Sequence, residues 1–449
     1  MSDRYFIVNS VPQPIRKWVW RNIRPNTSMQ KPTVIIVGAG AAGLMAAVEL
    51  SGQFQITILE ALPRTGGRIY SISQDGDIIE AGAEFVHGNL PVTLKLLKNA
   101  GIDYVEIAGE MYRKKNDRLI AVEEMTEGWE GLILKMKEVK EDCTMQQLLE
   151  EYYSGPENAP LRNHVRSYAA GFDLADIAKA SVKALYKEWS AEEEKNYRIP
   201  AGYGALIQYL QQQAVAEKVV IHTDAPVKSV QWQQGAVKVH TTNGQEYTAD
   251  KLLVTVPLSV LQQPFSKAYI DFSPTIQLVE SKAGEMGFGA VIKVVLEFKK
   301  LFWKKDTGFL LSDELFSTWW TQLPDKKPFL TGWIGGPTAA AISNDTDEEI
   351  LEKAMASLSA IFNKDIPDLK KDLAQSWVFN WQKNEFAMGG YSYPTLHSKD
   401  AKTILTTPIE GTLFFAGEAL YSGDHPGTVE AALVSAIRAA KIIKSTVEV

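Results

Sequence analysis

The sequence predicts an α/β fold, a parallel sheet with helices, into which an α+β domain is inserted. Three observations lead there. Thr33–Val37 reads TVIIV, a short β-branched run, and a glycine-rich turn and a small-residue helical run to Leu50 follow it. Phe54–Glu60, FQITILE, is a second strand, so the order is strand, glycine turn, helix, strand. That βαβ unit requires parallel pairing. Far downstream, Lys218–Val256 carries KVVI, PVKSVQW, AVKVH and KLLVTV, which read as hairpins returning to a buried strand. Thr412–Glu418 (TLFFAGE) adds one more strand and Gly427–Lys444 a closing helix. The pieces of one sheet are thus scattered along the whole chain.

Two stretches of different character lie between them. Residues 90–199 are expected to be mainly helical, with Thr144 and Gln147 forming a capping box. Residues 263–407 mix strands such as Ala290–Phe298 (AVIKVVLEF) with a helix over Glu348–Phe362, capped by Thr346 and Glu349. There is no internal repeat and no low-complexity linker. A chain of 449 residues fits two or three domains. The simplest partition is an N-terminal extension (1–32), a Rossmann-type nucleotide-binding domain (33–89, 200–262 and 408–449), and a substrate-binding domain (90–199 and 263–407).

Composition narrows the function classes. With 45% hydrophobic and 22% charged residues, the chain is an ordinary globular protein, neither disordered nor fibrous. Its net charge of −7 makes nucleic acid a poor partner. A single cysteine, Cys143, cannot form an internal disulfide, which fits a reducing, cytoplasmic setting. No apolar run reaches the ~18 residues of a membrane span, and the N-terminus lacks the layout of a secretory signal. Ile15–Pro25, IRKWVWRNIRP, interleaves basic and aromatic residues. Contact of residues 15–25 with a membrane surface is one reading. A short helix lying on the protein's own surface is preferred, because the stretch is short and the chain acidic. Oligomeric state is left open.

Gly38-Ala39-Gly40-Ala41-Ala42-Gly43 is a G-x-G-x-x-G between strand and helix. Gly38 permits the tight turn, Gly40 lets backbone approach a pyrophosphate, and Gly43 lets helix and strand pack closely. The helix start offers N–H groups and a positive dipole end to phosphates. Glu60 closes the next strand about twenty residues on, where an acid that binds a ribose is expected. Its negative charge disfavours a 2′-phosphate, hence NADP. Arg64-Thr65-Gly66-Gly67-Arg68 follows directly, bringing two guanidinium groups and a glycine pair toward the pyrophosphate. No second G-x-G-x-x-G occurs, so no separate NAD(P)H domain exists. One dinucleotide beside a large insert fits a flavin oxidase better than a flavin reductase.

The run VIIVGAGAAGLMAAVEL…ILEALPRTGGRIYS resembles the start of the flavin-containing amine oxidase family, which includes monoamine and polyamine oxidases, histone lysine demethylases and L-amino-acid oxidases. Further landmarks follow in order: Ile78–Gly88 (IIEAGAEFVHG), Ala290–Phe298, Met388–Pro394 (MGGYSYP) and Leu413–Ala436 (LFFAGEALYSGDHPGTVEAALVSA). The resemblance implies non-covalent FAD. Gly390 stands where monoamine oxidases carry the flavin-linking cysteine. It places Lys293 near the flavin N5 as the holder of a water, and His87 as a substrate contact. Tyr391 becomes one aromatic wall, and Thr428 takes the place of the opposite tyrosine of monoamine oxidases. The backbone of Gly82, Ala83 and Glu84 is expected along the isoalloxazine ring and Trp381 beside it. Glu418 matches the ribityl-binding acid and Val227 the residue at the adenine. Val429 starts a helix aimed at the flavin N1–C2=O edge. The six histidines show no ligand spacing, so no metal site is expected.

The function expected from the resemblance is FAD-dependent oxidation of an amine. Hydride passes from the amine Cα–H to flavin N5, the imine hydrolyses, and O2 returns the flavin to its oxidised state with release of hydrogen peroxide. Glu84 and Asp424, if they face the cavity, suit a cationic, polyamine-like substrate. The segment Glu84–His87 offers no cation for an amino-acid carboxylate. Two rivals stand beside this reading: a carotenoid-desaturase-like or protoporphyrinogen-oxidase-like enzyme acting on an apolar substrate, and a non-catalytic flavoprotein. Lys293 and GGYSYP argue against the first, and the intact set of flavin motifs against the second.

Overall fold

Thr33–Val37 lies at the centre of a five-stranded sheet whose strands all run parallel. Their order is Val220–His222, Gln55–Leu59, Thr33–Val37, Lys251–Val254 and Leu413–Phe415. The structure, a computed structural model, describes residues 31–115, 118–122, 127–190 and 195–447. Residues Val34 to Val37 are all buried, as expected of a parallel strand covered on both faces. On one face lies the helix Ala41–Leu50, whose alanines and glycine allow close approach of the final helix, Val429–Ser445. The latter buries Leu433, Ala436, Ala440 and Ile443, one helical stripe. The other face packs on an antiparallel sheet built from Val227–Gln233, Ala236–Thr241 and Glu246–Ala249, to which Asp271–Ser273 adds in parallel.

A seven-stranded sheet carries the insert. Its order is Leu373–Asn380, Val291–Phe298, Phe329–Gly335, Thr318–Trp320, Thr307–Leu311, Glu110–Lys115 and Arg118–Ala121. Val291–Phe298 is paired on both edges, with Lys293 opposite Trp333 on one side and Phe379 on the other. Side chains alternate along it. Ile292, Val294, Leu296 and Phe298 enter a core with Ile350, Ala354, Leu358 and Ile361 of the helix Asp347–Phe362. Val291, Lys293 and Val295 therefore face the opposite way. The expected parallel sheet with helices and a mixed insert is the observed architecture.

Both reciprocal caps form: Thr144 with Gln147, and Thr346 with Glu349. Residues 90–199 hold five α-helices among the described residues, but they are less purely helical than expected. Glu110–Lys115 and Arg118–Ala121 complete one margin of the seven-stranded sheet, and Asn196–Arg198 pairs with both Phe85–His87 and Val105–Glu106. The sequence EMYRKK hides a strand because Tyr112 is its one buried side chain. Near a sheet edge one apolar anchor suffices, and the flanking charges deter further strand pairing. Among the described residues no helix is long and apolar enough to cross a membrane. Ile15–Pro25 lies outside the described residues.

Candidate active site

A cavity of about 640 Å³ runs from the glycine turn to a group of aromatic side chains, a size usual for small-molecule and cofactor sites. At its first end Gly38 has φ 103°, which favours glycine. A Cβ on Gly43 would stand 1.9 Å from the Gly38 carbonyl oxygen, so this position closes the turn. Gly40 is the opposite case: a Cβ there would meet nothing nearer than 3.9 Å, and the residue borders the cavity. Gly40 is also the N-cap of the helix Ala41–Leu50. No side chain caps that helix, and its first turn contains no acid. Its orphan N–H groups and positive end open on the cavity wall formed by Gly40, Ala41 and Ala42. An uncapped helix end beside an open glycine fits a phosphate-bearing group.

Glu60 lines the same end. Its Oε2 accepts from the Ala39 N–H at 2.6 Å and its Oε1 from the Leu62 N–H at 2.9 Å. Burial raises its pKa, against the lowering effect of those two donors. Gly67 and Val227 share this part of the wall. Arg68 lines it too, donating to the Gly390 carbonyl at 2.7 Å and to Glu418 at 2.9 Å. Glu418 also accepts from the Ser392 hydroxyl at 2.8 Å. Arg64, expected beside Arg68, is absent from the lining. Its guanidinium turns back onto the carbonyls of Thr65, Ile69 and Gly67 and stacks over Tyr70 at 3.9 Å. The loop's own unpaired carbonyls claim it.

At the other end the backbone of residues 82–84 runs along the cavity in a tight slot. A Cβ on Gly82 would lie 1.9 Å from the Arg68 carbonyl oxygen, and the Trp381 indole donates to the Ala81 carbonyl at 2.9 Å. Lys293 reaches this slot with 1% of its surface exposed. Its Nζ donates to Glu84 Oε2 at 2.6 Å and to the Gly82 carbonyl at 3.2 Å. The partner that a buried lysine requires is therefore Glu84. Glu84 Oε1 accepts from Arg198 Nη2 at 2.9 Å and from the Trp320 indole at 3.0 Å. Burial opposes ionisation of Glu84, but Lys293 and then Arg198 outweigh it, and the carboxyl titrates below its usual range.

This geometry corrects the expectation for the two acids. Glu84 borders the cavity, but its carboxylate is spent on two cations and an indole. Asp424 also borders it, yet its side chain is 58% exposed and ion-paired with Lys187 at 2.7 Å. Neither offers a free anionic end to a polyamine.

His87 stands beside the Lys293 slot. Its Nδ1 lies 2.7 Å from Asn196 Oδ1. An amide oxygen only accepts, so Nδ1 carries the proton and Nε2 keeps a lone pair. Burial lowers the ring's pKa, which keeps it neutral near pH 7. Phe85 and Phe172 meet it edge-on at 5.9 and 5.8 Å. The Tyr391 hydroxyl donates to the Phe172 carbonyl at 2.5 Å, and burial pushes its pKa up. Thr428 lines the cavity, but its hydroxyl is occupied. It accepts from the Ala431 N–H at 3.1 Å and donates to the His425 carbonyl at 2.7 Å, capping the helix that begins at Val429. Glu430 turns away and binds Val92 N, Thr93 N and the Thr93 hydroxyl at the start of Pro91–Ala100. A Cβ at Gly390 would lie 2.4 Å from Leu174 Cδ1 and 2.8 Å from Val291 Cγ1.

Of the anticipated residues, all but Gly43 and Arg64 border this one cavity. Sequence reasoning missed Arg198, Asn196, Trp320 and the file of rings from Phe172 through Tyr168 to His164. The first two alternate on Asn196–Arg198, Arg198 opposite Phe85 and Asn196 opposite His87. A lone arginine before Ile199-Pro200 was the available signal, and only the strand register gives it meaning. Among the described residues no group of His, Cys, Asp and Glu could hold a metal ion.

Residues 41–444 match the family model for flavin-containing amine oxidoreductases. The chain is 30% identical to lysine-specific histone demethylase 2 of Homo sapiens over 92% of its own length and 53% of the relative's. It is 26% identical to polyamine oxidase 2 of Arabidopsis thaliana, covering 92% of this chain and 88% of that one. Its fold superposes on wild-type putrescine oxidase bound to putrescine with a TM-score of 0.76 at 18% identity, covering 92% and 99% of the two chains. The chain spans about half the length of the human and mouse demethylases it matches. The match from the phosphate-facing helix through the final helix, together with the cavity those elements enclose, places this chain in the flavin-containing amine oxidoreductase family.

Proposed function

We propose that the protein is an FAD-dependent amine oxidase acting on an amine in its neutral form. Likeness to polyamine oxidase 2 and putrescine oxidase, rather than a free acid at the cavity, favours the polyamine class. One observation carries the reading. A single cavity joins an uncapped helix N-terminus to a buried Lys293–Glu84 pair set among His87, Tyr391 and Trp381. Gly38, Gly40, Ala42, Gly67 and Arg68 would hold the pyrophosphate, Glu60 a ribose, Val227 the adenine and Glu418 the ribityl side. Gly82, Ala83, Trp381 and the helix from Val429 would hold the ring. Gly390 has no side chain to link to the cofactor and is packed against Leu174 and Val291, so no covalent bond to flavin forms at this position.

When bound, FAD would take the hydride of the amine Cα–H, leaving an imine that water hydrolyses, and would pass the electrons to O2 to give hydrogen peroxide. The chain's own residues do the rest. Two buried cations against one carboxylate repel an ammonium and favour the free amine, whose nitrogen lone pair the reaction needs. His87 Nε2 accepts an amine N–H and orients it. Phe85, Phe172, Trp320 and Trp333 form an apolar wall that excludes bulk water. Two of the Lys293 N–H groups are taken by Glu84 and Gly82, and the third holds a water.

Rapid-mixing measurements on Lys293→Met test this reading. The variant should keep its flavin while at least one half-reaction, reduction by amine or reoxidation by O2, slows severalfold or more. Unchanged rates for both halves would remove Lys293 from the chemistry.

A further inference from the structure

Beneath the cavity floor the protein buries an unequal set of charges. Lys293 and Arg198 both bind Glu84, one on each carboxylate oxygen, at 2.6 and 2.9 Å. Arg198 is 8% exposed, and its Nη2 also donates to the Thr321 carbonyl at 3.1 Å. Its Nε and Nη1 are buried without a partner. The Phe85 ring lies 5.3 Å from its guanidinium carbon, and the Trp320 ring 5.5 Å from Lys293 Nζ. Glu80 also feels the charges of Lys293 and Glu84, and burial pushes its carboxyl up to about 7. Below that pH it is neutral, and the charge count rests on Glu84. Glu80 accepts from the Tyr203 N–H at 2.5 Å and from the Ser71 hydroxyl at 2.7 Å rather than from either cation. Holding Lys293 in place needs Glu84 alone. A second buried cation on the same carboxylate costs desolvation and leaves donors unsatisfied.

We propose that Arg198 is a positioning residue which, through Glu84, maintains one net positive charge under the flavin end of the cavity and thereby raises the midpoint potential of the bound flavin. The inference rests on the reading that this cavity holds a flavin. Reduction adds negative charge to the ring, and a fixed cation in a dry site stabilises the reduced form over the oxidised one. Glu84 is the hinge of the device. It fixes Lys293 against the Gly82 carbonyl while Arg198 offsets the charge that Glu84 would otherwise cancel. Without Arg198, the Lys293–Glu84 pair is neutral.

Equilibrium redox titration of the flavin in purified holoprotein, against reference dyes at pH 6, where Glu80 is mostly protonated and adds no charge, tests this without substrate. Arg198→Met and Lys293→Met each leave a neutral pair, and both should lower the midpoint potential relative to wild type. Arg198→Lys keeps the charge and should retain the wild-type value, whereas a purely structural role would make it resemble Arg198→Met. Glu84→Gln should raise the potential or leave it unchanged, and never lower it. If Arg198→Met does not fold, Arg198→Gln, which can still donate to Glu84, carries the same expectation as a second uncharged variant. An unchanged potential in a folded, flavin-bound, uncharged Arg198 variant overturns the inference while leaving the proposed activity intact. Purified wild-type protein that binds no flavin overturns the proposed activity itself.

Discussion

Replacing Glu84 by leucine should be among the most damaging single changes away from the backbone turns. The carboxylate accepts from Lys293 Nζ, Arg198 Nη2 and the Trp320 indole, at 2.6, 2.9 and 3.0 Å. Its loss leaves two buried cations facing each other without an anion. Breaking a buried ion pair by removing one partner costs about 3–5 kcal/mol. A second stranded cation puts this case toward the upper end of that range, against a total stability of about 5–15 kcal/mol. Urea unfolding of flavin-free protein at pH 7 measures the effect without involving the cofactor. The double variant Glu84→Leu/Lys293→Met strands one cation instead of two. It should therefore be more stable than the sum of the single losses implies, by about 1–3 kcal/mol of coupling. Because the Glu84 pKa is depressed in the folded state, the cluster's contribution is present above the unfolded value near 4.5 and fades as pH falls through the folded value. The gap between wild type and Glu84→Leu should close in acid accordingly. A cost below about 1 kcal/mol, or strict additivity in the double variant, would refute the reasoning.

Three further outcomes follow from the same geometry. Gly40→Ala meets no protein atom nearer than 3.9 Å, whereas Gly43→Ala strikes the Gly38 carbonyl oxygen at 1.9 Å. The first should leave the flavin-free protein's melting temperature unchanged and weaken flavin binding tenfold or more, and the second should lower both; equal behaviour of the two would contradict this. Burial pushes the Glu80 carboxyl up to about 7, so between the unfolded value of 4.5 and 7 the folded state retains a proton that the unfolded chain has lost. Glu80 therefore makes stability fall as pH rises through that window, and Glu80→Gln should flatten the decline in urea midpoint between pH 5 and 8; parallel profiles would argue otherwise. Thr428→Ala removes the cap of the final helix and should cost about 0.5–2 kcal/mol in thermal unfolding, with Thr428→Ser restoring most of it, while a serine as costly as alanine would show that the hydroxyl is not the cap.

Local signals carried much of this fold. Thr33–Val37, the glycine turn and Glu60 were readable because each depends on residues close in sequence: β-branching, a positive φ and a strand end. The capping boxes at Thr144 and Thr346 were readable for the same reason. Lys293 was readable as an oddity, a cation in an apolar strand, but its partner was not. Glu84 is more than two hundred residues away, and Arg198 meets it only because Asn196–Arg198 pairs with Phe85–His87. The same distance hid the occupation of Glu84, which is why it looked available to a substrate. Arg64 was expected at the ligand because its neighbours are there, and Thr428 does border the cavity but with its hydroxyl already engaged. The carbonyls of one loop claim the Arg64 guanidinium, and the bare N-terminus of one helix claims the Thr428 hydroxyl. Glu110–Lys115 escaped notice because a strand near a sheet edge can be mostly charged.

Anaerobic titration of the purified holoprotein decides whether this cavity oxidises amines by means of a bound flavin. The oxidised-flavin absorption band would be followed while monoamines, polyamines, acetylated polyamines, amino acids and a methyl-lysine peptide are added in turn. A polyamine-class amine should bleach the band, and admitting air should restore it with formation of an equivalent of hydrogen peroxide. A flavin that dithionite reduces but no amine in the panel bleaches would contradict that activity.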